Sequence, residues 1–137
     1  MAGYVAAFEA LGYSLRSQYD WSAEREDGVC LTVWTHESQI EDGRFVFDTR
    51  QHEKARSVSQ QRQVDLRARL ARRAIDEFDG IVDVVYVSPS KRPGVRVGTA
   101  DPWRSENRRG HCWRVVDLDQ ESGQVRLETF VPNSKDA

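Results

Sequence analysis

The spacing of apolar residues divides the first half of the chain into a short helix and three strands. Residues 2–11 carry apolar side chains at helical spacing and are followed by Gly12, which predicts a helix that ends there. Apolar and polar residues then alternate over 13–21, a pattern typical of a strand. After a charged turn, residues 29–49 contain two β-branched and aromatic runs separated by Glu41-Asp-Gly43, which predicts a hairpin.

The second half begins with a long amphipathic helix, predicted over Ser57–Asp79. The apolar run Ile81–Val87 follows at once and is typical of a central strand. Residues 88–110 hold three of the four prolines and show no apolar periodicity, which predicts a long loop. The pattern over residues 112–130 predicts a hairpin that turns through Asp119–Gly123. The helix stripe comprises Val64, Ala68, Ala71, Ile75 and Phe78, widened by Leu66, Leu70 and Ala74.

These elements predict an α+β fold. A mainly antiparallel, mixed sheet of five to six strands would pack against one long helix, with a short helix at the N-terminus. The length of 137 residues suits one hydrophobic core. We therefore expect a single domain over residues 1–131 and a frayed tail over 132–137.

Composition narrows the class of protein. The chain has 39% hydrophobic residues, 13 aromatic residues and a net charge of −2, so it should fold. No apolar run approaches the roughly 18 residues of a membrane span, and the N-terminal residues lack the basic start of a secretory signal. A cytoplasmic protein is expected, with Cys30 and Cys112 as reduced thiols rather than a disulfide.

Charge is strongly segregated along the chain. Residues 1–48 carry nine acidic and three basic side chains, whereas residues 91–114 carry seven basic and two acidic ones. Basic side chains next to aromatic ones are typical of a nucleic-acid-binding surface, because the cations contact phosphates and the rings stack on bases. The predicted contact residues are Arg92, Arg96, Trp103, Arg104, Arg108, Arg109 and Arg114.

Two other interpretations of the charge remain open. The arginines could pair with the acidic half of the chain, and the tryptophans could anchor the loop to the core. Alternatively, the acidic half could meet a basic protein partner, as an inhibitor or adaptor that mimics a nucleic-acid backbone. A sequence pI near 5.9 counts against an ordinary DNA-binding domain. The acidic residues in question are Asp20, Glu24, Glu26, Asp27, Glu37, Glu41 and Asp42.

No catalytic or metal motif stands out. The three histidines, His36, His52 and His111, match no metal-ligand spacing. Asp48 precedes Glu53-Lys54, but the acidic-x-Lys strand spacing of metal-dependent nucleases is absent. Neither cysteine lies in a setting that favours a thiolate. An enzyme is therefore the least favoured class, and no cofactor is predicted.

A glycine-containing segment and a group of tryptophans each have a functional and a structural interpretation. The segment Gly94-Val-Arg-Val-Gly98 is not followed by a predicted helix, so a role in binding phosphate at a helix N-terminus is unsupported. An ordinary loop is the favoured interpretation. Asp20, Trp21 and Trp34 are candidates for an aromatic pocket. Tryptophans in strands more often pack in the core or on a sheet face.

The strand Val29–Trp34, the long helix and the run Val82-Asp-Val-Val-Tyr-Val-Ser88 form a strand–helix–strand order. This order resembles the N-terminal DNA-reading domains of some modification-dependent restriction endonucleases. The resemblance covers about half the chain, includes no diagnostic motif and assigns no residues. It favours nucleic acid as the ligand. The sequence thus predicts a non-catalytic nucleic-acid-binding module, of the kind found in bacterial or phage defence and restriction systems, with a protein inhibitor or adaptor as the alternative.

Overall fold

The computed structural model describes residues 3–51 and 57–132 and confirms an α+β fold with a mixed sheet. Its sheet has eight strands, more than the five to six predicted. The helices are α1 (Tyr4–Ala10) and α2 (Val58–Glu77), and short 3-10 turns occupy Thr35–Glu37, Thr49–Gln51 and Ser105–Asn107. The strands are β1 (Ser22–Arg25), β2 (Gly28–Trp34), β3 (Ser38–Glu41), β4 (Arg44–Asp48), β5 (Ile81–Pro89), β6 (Val97–Pro102), β7 (Cys112–Leu118) and β8 (Val125–Phe130).

Strand β5 is the centre of the sheet, as its apolar sequence predicted. The strand order is β1-β2-β5-β7-β8-β4-β3, and β6 also pairs with β5. Only the β2–β5 pair is parallel among the described strands. The first two residues of β5 pair with β7, and its second half lies between β2 and β6.

Alternate side chains of β5 supply two cores on opposite faces of the sheet. Val82 and Val84 join a core covered by α2, while Val85 and Val87 join a second core covered by α1. The helix stripe and the apolar run after it predict burial of six side chains: Leu70, Ile75, Phe78, Val82, Val84 and Tyr86. Of these, Leu70, Val82 and Val84 are at most 5% exposed. The others, Ile75, Phe78 and Tyr86, are partly buried and pack against the first core.

Helix α2 begins where its sequence predicts. Ser57 caps the N-terminus: its hydroxyl accepts from the Gln60 backbone N–H, and the Gln60 side chain accepts from the Ser57 N–H. Its inward face is formed by Val64, Leu70, Ala71 and Ala74 together with Arg67, a charged residue that is only 4% exposed.

The predicted strand over residues 13–21 is wrong. This segment is irregular, and the first strand begins at Ser22. Tyr13 and Asp20 are buried as two separate anchors of this segment. The Tyr13 hydroxyl donates to Asp83 in β5, and a backbone N–H within the segment donates to the Asp20 carboxylate.

The predicted hairpin over residues 29–49 is also wrong, although both of its strands exist. Strand β2 pairs with β1 and β5, whereas β4 pairs with β3 and β8. The Asp42-Gly43 turn does form, but it joins β4 to the short strand β3. The five consecutive residues from Val29 to Val33 are all buried, four of them apolar or cysteine, which suits a strand with partners on both sides.

The long loop predicted over residues 88–110 contains structure of its own. It holds β6, which pairs with β5, and the 3-10 turn Ser105–Asn107. Ala100 is the only residue of β6 that is buried, so the strand shows no alternation of apolar and polar residues. The predicted final hairpin, β7–β8, is confirmed and turns at Gly123 in the left-handed region.

No helix in residues 3–51 or 57–132 is long and apolar enough to cross a membrane. The cytoplasmic location and the frayed tail stay predictions. Residues 133–137 of that tail lie outside the described part of the chain.

The two cysteines differ in accessibility, which makes their redox state testable. Both are free thiols, Cys30 fully buried in the second core and Cys112 half-buried at the start of β7. Burial raises the pKa of both thiols. We expect two thiols per chain to react with a disulfide reagent in denaturant without reductant, and Cys112 to react first in the native protein. A monomer with no titratable thiol would contradict this expectation.

Candidate functional site

The basic segment 91–109 is not neutralised by the rest of the described chain. None of its six basic side chains forms an ion pair with a described carboxylate. Arginines elsewhere do so repeatedly, for example Arg69 and Arg73 with Glu24, and Arg44 with Glu128. The six are Lys91, Arg92, Arg96, Arg104, Arg108 and Arg109, so the interpretation in which they pair with the acidic half finds no support here.

Arg114 differs from the other predicted contact residues. Its guanidinium lies 3.5 Å from Asp79 and 4.1 Å from the centre of the Phe130 ring. Because both contacts occupy it within the fold, Arg114 contributes less free positive charge than the segment before it.

Trp103 lies in the core rather than on the surface. It is 6% exposed, and its ring stands edge-to-face with Phe45, Tyr86 and Trp113 at centroid distances of 5.4–5.8 Å. Its indole N–H donates to the His111 carbonyl at 2.8 Å. Such a ring has no free face for a base, so we leave Trp103 out of the contact surface.

Arg108 and Arg104 rest on the fold through different contacts. The Arg108 guanidinium lies 4.4 Å above the Trp103 ring, whereas Arg104 donates to the carbonyl of Ala10 at the end of α1. Arg92 and Arg109 are exposed and make no described side-chain contact. The basic residues therefore occupy several separate settings rather than one packed cluster.

Arg96 lies in a groove lined by aromatic side chains. Its guanidinium lies 5.2 Å from the Trp34 ring centre and 5.9 Å from that of Trp21. The groove has a volume of about 410 Å³, within the range typical of ligand pockets. We define the aromatic groove by its lining residues, which are Tyr4, Gln18, Tyr19, Trp21, Trp34 and Gly94–Val97.

The walls of the aromatic groove are held by hydrogen bonds. The backbone N–H of Trp21 donates to Gln63 on α2 at 3.0 Å, and the Gln63 amide donates in turn to Asp20. Tyr4 donates from its hydroxyl to the Asp20 carbonyl and lies 2.9 Å from the Thr32 hydroxyl. Burial raises the pKa of Tyr4 to about 12, so this hydroxyl stays protonated at neutral pH.

The rim of the groove is the loop between β5 and β6. The Ser90 N–H donates to the Arg96 carbonyl, and the Arg92 N–H donates to the Ser90 hydroxyl, which closes the loop. Gly98 lets the strands approach, because a Cβ there would lie 2.7 Å from the Pro89 carbonyl oxygen. This close approach fixes where Arg96 enters the groove.

Comparison with known proteins found no match: no family model, no curated protein and no solved structure matches this chain. The chemistry of the site is therefore the basis for its function.

Four of the seven acidic side chains proposed to meet a basic partner are engaged within the fold, whereas Glu26, Glu37 and Asp42 form no ion pair in the described chain. Asp20 is 8% exposed and bonded to Gln63, Glu24 pairs with two arginines of α2, and Asp27 pairs with Arg25. Glu41 lies 3.6 Å from Arg126. These contacts give no specific support to an acidic surface that mimics a nucleic-acid backbone.

The residues considered for hydrolysis do not form a site in the described chain. Asp48 is 4% exposed, and Arg50, with help from Arg126, lowers the pKa of its carboxyl. His52, Glu53 and Lys54 lie outside the described residues. Within residues 3–51 and 57–132, no three His, Cys, Asp or Glu side chains are grouped to hold a metal ion.

Sequence reasoning found part of the groove and missed the rest. Trp21 and Trp34 were candidates for an aromatic pocket, and Arg96 was a predicted contact residue, but nothing linked the three. Tyr4 and Tyr19 were missed. The exposed Tyr19 stands in a segment whose alternation suggested a strand, and only its 73% exposure distinguishes it from a packing residue.

Proposed function

We propose that this protein is a non-catalytic nucleic-acid-binding module that contacts phosphates through its basic segment. The observation that carries the proposal is the lack of internal ion pairs at the six basic side chains between Lys91 and Arg109, within the described chain. Unpaired cations on a surface attract polyanions, and their binding releases condensed counterions.

Two further features support the same ligand. Arg96 stands beside aromatic rings in a groove of ligand size, which combines a cation with flat surfaces. The net charge of −2 is a sum over the whole sequence, and three of the acidic side chains named above, Glu24, Asp27 and Glu41, pair with arginines outside the basic segment. A place in a defence or restriction system belongs to this proposal as its expected biological setting.

The proposal is tested by the salt dependence of binding. A labelled 20-nucleotide single strand of mixed sequence and its duplex are titrated with protein by fluorescence anisotropy between 50 and 200 mM salt. If all six cations contact phosphates, the slope of log K against log salt should approach about −4 for the single strand and about −5 for the duplex. A poly-glutamate chain of equal charge serves as the control polyanion.

Each outcome has a distinct meaning. Affinity that falls steeply with salt for nucleic acid, and is weaker for poly-glutamate, supports the proposal. Equal binding of poly-glutamate points to an acidic protein partner instead. The absence of binding to either oligonucleotide at 50 mM salt contradicts a nucleic-acid function.

A further inference from the structure

We propose that the aromatic groove binds an unpaired base, so that the ligand of this module is single-stranded nucleic acid. The inference rests on the proposed function and adds the form of the strand and the place where a base is held. Its basis is the meeting of two half-buried indoles, an exposed tyrosine and an unpaired guanidinium in one cavity.

The groove presents flat apolar surface that remains accessible in the folded chain. Tyr19 is 73% exposed and Val95 47% exposed, and both line the cavity. Trp21 and Trp34 are each only partly buried, in contrast to Trp103 and Trp113 in the core. Exposed rings grouped around a cavity are typical of surfaces on which bases stack.

The positive charge around the groove determines which class of ligand it favours. An aromatic cage alone would also suit a quaternary ammonium group. Here the guanidinium of Arg96 already lies over both indoles, and Lys91 and Arg92 stand in the same loop without a described carboxylate partner. A cationic guest would be repelled, whereas a base linked to a phosphate meets both the rings and the cations.

The groove also contains groups that can contact the edge of a base. The Gln18 side chain is exposed at the lining and makes no described hydrogen bond, so its amide is free to donate and accept. A base within a duplex has its faces covered by neighbours and its edge paired. The groove therefore favours an unpaired base over a duplex.

Arg96 would act as the link between base and phosphate. In the free protein its guanidinium covers the indole faces at 5.2–5.9 Å. A base that enters the groove takes part of this surface, and the guanidinium, which has no carboxylate partner in the described chain, is then available to the adjoining phosphate. Loop closure between Ser90 and Arg96 keeps it within reach.

The experiment compares oligomers that differ only in their bases. A 15-mer of thymidylate, a 15-mer of uridylate and an abasic sugar-phosphate 15-mer of each backbone are titrated by anisotropy and by tryptophan fluorescence. We expect each base-containing strand to bind about 5- to 150-fold more tightly than its abasic counterpart and to quench tryptophan emission. The two sugars show whether DNA or RNA is preferred, and a preference for bases on either backbone supports the inference.

Variants locate the effect. Tyr19→Ala and Trp34→Ala should remove most of the advantage of bases over the abasic strand. Phe130→Ala is the matched control, because Arg114 covers that ring at 4.1 Å just as Arg96 covers Trp34, yet it lies outside the groove. The control variant should keep the full preference for bases.

The inference and the proposed function fail in different ways. Equal, salt-dependent binding of abasic and base-containing strands, or an unchanged preference in a folded Tyr19→Ala variant, overturns the inference and leaves the phosphate-binding proposal standing. No binding of any strand overturns both. Tryptophan quenching by choline at lower concentration than by thymidine monophosphate identifies a cation cage and also overturns the inference.

Discussion

Replacing Trp103 by alanine should destabilise the protein by about 3–5 kcal/mol, the cost typical of truncating a buried tryptophan. The ring contacts three other aromatic side chains, its N–H satisfies the His111 carbonyl, and Arg108 rests on its face. All of these interactions are lost together, and a cavity remains. Urea denaturation followed by tryptophan fluorescence and circular dichroism measures the change in free energy of unfolding.

Tyr19→Ala is the control for this experiment. It also removes an aromatic side chain, but one that is 73% exposed, so its effect on stability should stay within about 0.5 kcal/mol. A Trp103→Ala variant that keeps its stability while losing affinity for an oligonucleotide would show that the indole faces the ligand after all.

The second large effect is expected from neutralising Lys91, Arg92 and Arg109 together with glutamine. These side chains make no described contacts, so affinity for a single strand at low salt should fall at least about a hundredfold while stability barely changes. Glutamine retains much of the side chain, and at Arg109 it also keeps an ordinary L-residue at a φ of 55°. Anisotropy measures the affinity, and the salt slope should become shallower by about 2.

A matched variant carries the same change of charge elsewhere. Arg44, Arg69 and Arg72 are 52%, 59% and 55% exposed and each has a carboxylate partner. Their joint replacement by glutamine lowers net charge equally but spares the basic segment. If this variant loses as much affinity as the first, general electrostatics rather than the basic segment governs binding, and the proposed contact surface is wrong.

The parts of the fold that could be predicted are those with strong local signals. Ser57 and Gln60 cap α2 through neighbouring residues, and Asp42-Gly43 turns with both φ angles positive, as a tight hairpin requires. Strand partners could not be predicted in the same way. One of the two partners of β2 is β5, about 50 residues away, and nothing local distinguishes that pairing from a hairpin with β4.

The same limit applies to the site. Trp34 and Trp103 both end or follow a strand and stand near arginines, yet one lines a groove and the other lies in the core. Whether Arg96 pairs with a carboxylate depends on which side chains the sheet brings together. The sequence shows only that basic residues outnumber acidic ones in this segment. The basic segment could therefore be found from the chain, but the groove beside it could not.

Both cores of the described chain draw residues from each side of Gly80, so a cut there would leave neither core complete. A cut after Gly80 would separate β2 from β5 and β4 from β8, leaving two apolar strand edges open to other chains. The same geometry identifies where the chain tolerates additions. A fluorophore or affinity tag is best placed at Gln120 or Glu121, the exposed part of the turn between β7 and β8, since Gly123 packs against Val64 of α2.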